Sequence, residues 1–357
     1  MTRRPSLQRG VSLVELMVAL VIGLMTVLAV VQMMSTYGRQ QRLGGSVSDA
    51  QNSAMMALNT LGQDLQRAGH SLAHQRLQDC SSFLTQVDGA ALANFSTAAV
   101  SIVDGGSGPD TLRIRFAESA RGDVPVSLAA NMTSAVGDLR VATTYGVSVN
   151  DLVLVTNSAN QCTLRKVTSI NTAVTPPTLA AAATSSPNYN PAAAPTGWVS
   201  YTTATSSQVF TLGRLTQRQY SIDGTTNVLR ARELLDAADT PVAEGIVDLQ
   251  AQYGITSGAG SDTVTQWVDA TGSWVTPSVA DRKRIKAVRV AIVARAAEVD
   301  ASNPSTSAIT LWPAVAAGAG QQSSERLFTP TGDARRHRYR VLRTVVPLKN
   351  ILWATLS

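Results

Sequence analysis

The sequence predicts an α+β fold: one long N-terminal helix whose first half suits a membrane and whose second half lies on an antiparallel β-sheet-rich head. Three observations carry this. An apolar run from Gly10 to Met34 is interrupted by a single charge, Glu15. An apolar stripe at helical spacing continues from Val47 to Ala68. Beyond Asp110 the chain turns to short alternating segments separated by Gly, Pro and Asn. The expected division is a leader over 1–10, a helix over 11–70 with 11–34 transmembrane, and a β-rich head over 71–357.

The leader carries Arg3, Arg4 and Arg9 and no acid. The apolar run behind it, as a helix rising about 1.5 Å per residue, reaches roughly 36 Å. That crosses a hydrocarbon core of about 30 Å. A carboxylate inside such a helix costs on the order of 2–3 kcal/mol, so Glu15 calls for a partner. Cutting after Gly10 supplies one, because it creates an amino group on Val11 at nearly the depth of the Glu15 carboxylate. Two plainer readings compete. A secretory signal peptide has an apolar core of only about 7–15 residues and a small-x-small cut site. An ordinary signal anchor fits the length but gives no reason for Glu15.

After the membrane half, Val47, Ala54, Leu58, Leu61, Leu65 and Ala68 line one face, with Asn52, Asn59, Gln63 and Gln66 on the other. Gly38 and Gly44-Gly45 predict a bend or soft joint between the halves, since Gly costs about 1 kcal/mol relative to Ala in a helix. Gly69 predicts the helix end.

Early in the head stands Cys80, and the sequence holds one other cysteine, Cys162. Leader arginines ahead of an apolar span keep the leader cytoplasmic and export the rest, and an even cysteine count in an oxidising space permits one disulfide. Such a bridge contributes up to about 4 kcal/mol on the loop-entropy account. Two separate buried thiols are the alternative.

Strands follow. Thr111–Phe116 alternates with Leu112, Ile114 and Phe116 on one face. Asp151–Thr156 reads as a buried strand, with Cys162–Ile170 its antiparallel partner. Asn171–Thr196, with Pro177, Pro187, Pro191, Pro195 and the run Ala180–Ala183, predicts a mobile excursion. Gln208–Leu215, Gln217–Ile222 and Asn227–Arg232 read as short strands, with Asp223-Gly224 a hairpin turn. Gly245–Thr256, Ile285–Ala296 and Arg338–Leu348 are longer. In the second of these, Val288, Val290, Ile292 and Ala294 alternate with Arg289 and Arg295 opposite. Pro347 ends or edges the last strand because it cannot donate to a ladder.

The window Gly10-Val11-Ser12-Leu13-Val14-Glu15-Leu16-Met17, behind a basic leader, resembles a class III (type IV) prepilin signal. Gly108-Pro109-Asp110-Thr111-Leu112, Val242–Gln250, Tyr253-Gly254-Ile255, Ile285–Val290 and the closing Val345–Asn350 are similar to the PilW family of minor pilins. The resemblance implies a pilin-like fold and cleavage between Gly10 and Val11 by a prepilin peptidase. It also implies N-methylation of Val11, which stands where Phe is more usual, and an assembly contact at Glu15. The implied role is non-enzymatic: a minor pilin that primes or joins type IV pilus assembly. It would work with other minor pilins, the major pilin and a tip adhesin. The implied location is the inner membrane, crossed once with the head in the periplasm, and then the filament. The alternatives are a minor pseudopilin of type II secretion, or a signal-anchored periplasmic enzyme or binding protein.

Composition and motifs narrow the chemistry. Without the three leader arginines the formal charge falls from +6 to +3, so charge alone argues no nucleic-acid role. The basic clusters Arg282-Lys283-Arg284-Lys286 and Arg335–Arg340 contain one aromatic, Tyr339, against the interleaved aromatics expected for single-strand stacking. They read as solvated strand ends. His70 and His74 are four apart, but no zinc-hydrolase Glu flanks them and Gly69 stops the helix, so they read as an exposed pair. His337 lies among arginines and reads as part of a solvated turn. Asp104–Asp110 has the oxygens of a calcium loop without its bidentate Glu, and reads as a turn. There is no Gly-x-x-x-x-Gly-Lys phosphate cradle and no strand–Gly-x-Ser-x-Gly elbow. No metal, cofactor or catalytic residue is expected.

Overall fold

A computed structural model describes residues 12–92, 95–183, 187–235, 238–300, 307–318 and 320–354. Gly10 and Val11, with the expected leader, lie outside the described residues.

Helix α1 spans Leu13–Arg67. Ser12 caps it, its Oγ accepting from Val14 N–H at 3.3 Å. Ala68 closes the other end, and Gly69 follows at φ +78°, the left-handed step that helix ends favour. The expected joint at Gly38 and Gly44-Gly45 is absent, and the helix is unbroken through all three. Each glycine costs about 1 kcal/mol there, which the hydrogen-bonded turns on both sides absorb. The second half buries Val47, Ala50, Ala54, Ala57, Leu61, Asp64, Leu65 and Ala68, a stripe at the three- and four-residue steps of one helix face.

The head is two main sheets. The larger, nine-stranded one contains β1 (Val100–Val103), β2 (Thr111–Glu118), β3 (Leu152–Thr156), β4 (Gln161–Lys166), β5 (Gln208–Asp223), β6 (Val228–Glu233) and β7 (Asp239–Glu244), with two shorter segments. The four-stranded one contains β8 (Ile246–Thr256), β9 (Val264–Val268), β10 (Ile285–Val299) and, past the ribbon β11 (Ile309–Trp312) and β12 (Arg326–Phe328), β13 (His337–Pro347). Its order is β9-β8-β10-β13, all antiparallel, so the strand that Pro347 closes is an edge.

Strand β5 corrects the expectation of two short strands over 208–222. Its ladder runs through Thr216, which pairs with Phe116, in one 16-residue strand. Near one end β5 pairs with β3; towards the other it pairs with β2 and β6. The register shifts at Gly213, which sits at φ +61° with space for a Cβ closed by Glu118 O at 2.3 Å.

The excursion over 171–196 is also corrected in part. Thr178–Ala180 pairs with both Ser169–Asn171 and Leu139–Arg140. Arg165, fully buried on β4, donates to Asn190 Oδ1 at 3.0 Å, Ala181 O at 2.9 Å and Ala135 O at 2.5 Å. One desolvated guanidinium thus ties down a stretch whose proline-rich composition suggests looseness.

The main core joins the helix stripe to Leu112, Ile114 and Phe116 of β2 and to Val288, Val290, Ile292 and Ala294 of β10. A second core gathers Leu72, Leu77, Leu154, Leu164, Phe210 and Leu212 around the two cysteines.

Candidate assembly site: the stem and its seat

The large apolar side chains from Leu13 to Met34 are all at least 52% exposed. Water does not tolerate such a surface, and a second layer must cover it. Its polar groups are satisfied locally. Thr26 Oγ1 donates to Gly23 O at 2.8 Å, and Ser35 and Thr36 each donate to Gln32 O at 2.9 Å. The helix is long and apolar enough to cross a membrane. Glu15 is the one charge between Leu13 and Gly38, and its carboxylate has no partner among the described residues.

Where the helix meets the head it is clamped. Asp64 is 5% exposed on the apolar stripe, and its Oδ2 accepts from Arg218 Nη1 and from Tyr220 Oη, both at 2.7 Å. Burial and the adjoining Asp64 carboxylate push the Tyr220 phenol up from its ordinary range, so it stays a donor. Arg67 pairs with Glu118 at 2.5 Å, its guanidinium 4.2 Å from the centre of the Phe116 ring. Gly69 N–H donates to Arg115 O at 2.8 Å. From the far end of the chain, Asn350 Nδ2 donates to Ala68 O at 3.0 Å and takes up an open carbonyl of the helix terminus. Sequence reasoning missed Asp64. The signal was available, since Asp64 stands on the same face as Leu61, Leu65 and Ala68, where an acid demands a partner.

Cys80 and Cys162 form a disulfide with a Cα–Cα distance of 6.0 Å. It joins the segment after the stem to β4. Arg282 reinforces that corner, Nη2 donating to Gln78 O at 3.1 Å and Cys80 O at 2.9 Å. The cluster 282–286 is therefore not a solvated strand end. Lys283 pairs with Asp79 at 2.6 Å, Arg284 with Asp281 at 3.1 Å, and Lys286, 1% exposed, with Asp262 at 3.1 Å. Arg289, on the strand face opposite Val288 and Val290, lies between the rings of Trp267 and Trp312 at 5.0 and 4.5 Å and donates to Gln252. The ribbon β11–β12, absent from the sequence reading, covers that face.

The remaining candidates separate. His70 and His74 lie beyond the helix; His74 Nδ1 accepts from Arg76 N–H at 3.1 Å and its ring meets Phe210 at 4.8 Å. Burial lowers the His74 pKa. His337 hydrogen-bonds Ala296 O at 2.9 Å. In the Asp104–Asp110 loop, Asp110 accepts from Gly105 N–H at 2.9 Å and Ala251 N–H at 2.8 Å, which makes the loop a strut against β8. Burial pushes the Asp110 carboxyl up to about 6. Among the described residues no group of three or more His, Cys, Asp or Glu side chains is arranged to hold a metal ion.

An exposed apolar half-helix with one acid near its start, locked into a β-rich head, is the architecture of a subunit that assembles through its stem. The prokaryotic N-terminal methylation motif matches residues 5–31, and the type IV pilus-assembly protein W (PilW) family matches residues 200–350. The chain is a PilW-family type IV pilin. The first match in this PilW-family pilin takes in Gly10, Val11 and Glu15; the second takes in Arg218, Tyr220 and Asn350, three of the groups that hold the stem. Asp64, which they hold, falls between the two. No curated protein and no solved structure matches the chain. The family marks the PilW-type pilin as a structural protein of the pilus, anchored through its N-terminal helix.

Proposed function

We propose that this pilin is a minor subunit that primes or joins type IV pilus assembly. It waits in the inner membrane as a single-pass protein with its head in the periplasm. In this reading, cleavage between Gly10 and Val11 frees an amine that is then methylated, and Glu15 pairs with the Val11 amine of a neighbouring stem. Other minor pilins, the major pilin and a tip adhesin are its partners. The observation that carries the reading is the stem: apolar surface exposed on every side, continuous with the head, and bearing one carboxylate. The PilW match over most of the head's second half favours a pilus over a secretion pseudopilin.

The test compares pilus-fraction with membrane-fraction abundance for wild type, Glu15→Ala and Ser12→Ala. Glu15→Ala should insert and be cleaved normally, because losing a charge eases insertion. It should be depleted from filaments, because the neighbour's amine loses its counter-charge in a low-dielectric setting. Equal incorporation of all three proteins would end the proposal.

A further inference from the structure

Between the disulfide corner, strands β1–β2 and the Val275–Ile285 approach to β10 lies a cavity of about 450 Å³, open on one side. Three guanidinium groups line it, those of Arg113, Arg115 and Arg282, and among the described residues its lining contains no carboxylate. Arg115 is 2% exposed and donates through Nη1 to Ser101 Oγ at 3.0 Å and Ala98 O at 3.2 Å. Arg113 spends Nε on Gln219 at 2.8 Å. Arg282 spends Nη2 on the carbonyls of Gln78 and Cys80. The Nη atoms of Arg113 and the Nη1 of Arg282 have no hydrogen-bond partner among the described residues. The acid whose charge acts on Arg282 is Asp79, and Asp79 already pairs with Lys283.

Three like charges converging on one concave surface repel one another. Desolvation, then Arg113, and more weakly Arg282, lower the Arg115 pKa to about 10, with Tyr253 acting the other way. Two other buried or half-buried cations in this protein meet an acid, Arg218 on Asp64 and Lys286 on Asp262, while Arg165 and Arg289 spend their donors on neutral acceptors. Here no carboxylate among the described residues lines the wall. The rest of that wall is neutral. Phe83 and Phe95 meet edge-on, their centroids 5.3 Å apart, and Ser81 and Thr276 bring hydroxyls, while Ser278 Oγ already donates to Asp281 Oδ2 at 2.8 Å. Guanidinium forks suit a carboxylate, hydroxyls exchange hydrogen bonds with hydroxyls, and phenyl edges suit the C–H faces of a ring.

We infer that this cavity is a binding site for an acidic sugar: the carboxylate at the arginines, the ring against Phe83 and Phe95, and the sugar hydroxyls on the serine and threonine side chains. The cavity belongs to the head and leaves the assembly role of the stem unaffected.

The test is titration calorimetry of the full-length protein in detergent micelles with digalacturonate, beside neutral digalactose and inorganic phosphate. Digalacturonate should bind saturably below about 1 mM, and digalactose should not. Arg113→Gln removes one charged fork and should weaken binding about tenfold or more. Thr276→Trp should abolish binding by filling the mouth, because Thr276 is exposed and makes no side-chain hydrogen bond among the described residues. Thermal melts of both variants report folding, and Thr276→Trp keeps the test decisive if Arg113→Gln unfolds. No binding of digalacturonate, binding of phosphate alone, or equal binding by wild type and Thr276→Trp would each overturn the assignment.

Discussion

Removing the Asp64 carboxylate should loosen the stem from the head. In Asp64→Ala the Tyr220 hydroxyl, in a fully buried ring, loses its acceptor, and Arg218 loses its ion-pair partner. Breaking a buried pair from one side costs about 3–5 kcal/mol. The Arg218 side chain is 35% exposed, so water recovers part of its charge. The expected loss is therefore nearer 2–3 kcal/mol, roughly one stranded hydroxyl plus a partly screened charge. For a head of this size each 1 kcal/mol lowers Tm by about 2–4 °C, which predicts a fall of about 5–10 °C. Asp64→Asn keeps one acceptor oxygen and should lose about half as much. The assay is near-UV circular dichroism melting of the full-length protein in micelles, with a cycle through Tyr220→Phe. Asp64→Ala and Tyr220→Phe should couple by about 1–2 kcal/mol, as groups in one hydrogen-bond network do. Strictly additive losses, or a Tm for Asp64→Ala equal to wild type, would refute the clamp.

Three further outcomes follow from the same structure. Intact mass spectrometry of membrane-extracted protein should find Val11 as the first residue, with a methyl on its amine; a terminus near Met34 to Gly38 would instead indicate an ordinary signal peptide. Reduction of the Cys80–Cys162 bridge, which closes a separation of 82 residues, should cost about 4 kcal/mol, and an unchanged melt after verified reduction would contradict that. Because the folded Asp110 carboxyl titrates at about 6, against 3.8 for the free group, the unfolded chain loses that proton first. Asp110 therefore favours folding below about pH 4, and that contribution disappears as pH rises through about 6, by roughly 3 kcal/mol. Asp110→Asn should flatten the fall in Tm between these pH values, and a parallel profile in both proteins would refute it.

The parts legible in the sequence were those governed by periodicity. Leu112, Ile114 and Phe116 declare one face of a strand, and Leu61, Leu65 and Ala68 one face of a helix, because burial acts on every second or every third and fourth side chain. The stem, the acid near its start and the two cysteines are likewise local patterns. Three features escaped that logic. The break expected at Thr216 is absent because Thr216 pairs with Phe116 in an unbroken ladder, and the one register shift against that neighbour, at Gly213, lies inside the first expected strand. Arg165 and Arg289 are cations placed deep in the head by partners distant in sequence, and a pattern of types cannot name those partners. The ion pairs of Lys283 and Lys286 are tertiary too: the acids Asp79 and Asp262 come from separate segments. Glycine propensity misled at Gly44-Gly45 for the opposite reason. It is a small local cost, and a helix of 55 residues overrides it.

The continuity of α1 fixes a clearance. From Met34, at the end of the apolar run, to Val47, the first residue buried against the head, the helix rises about 20 Å. With the apolar run upright in a bilayer, the head is held off the lipid surface by that stand-off, as if on a rigid spacer.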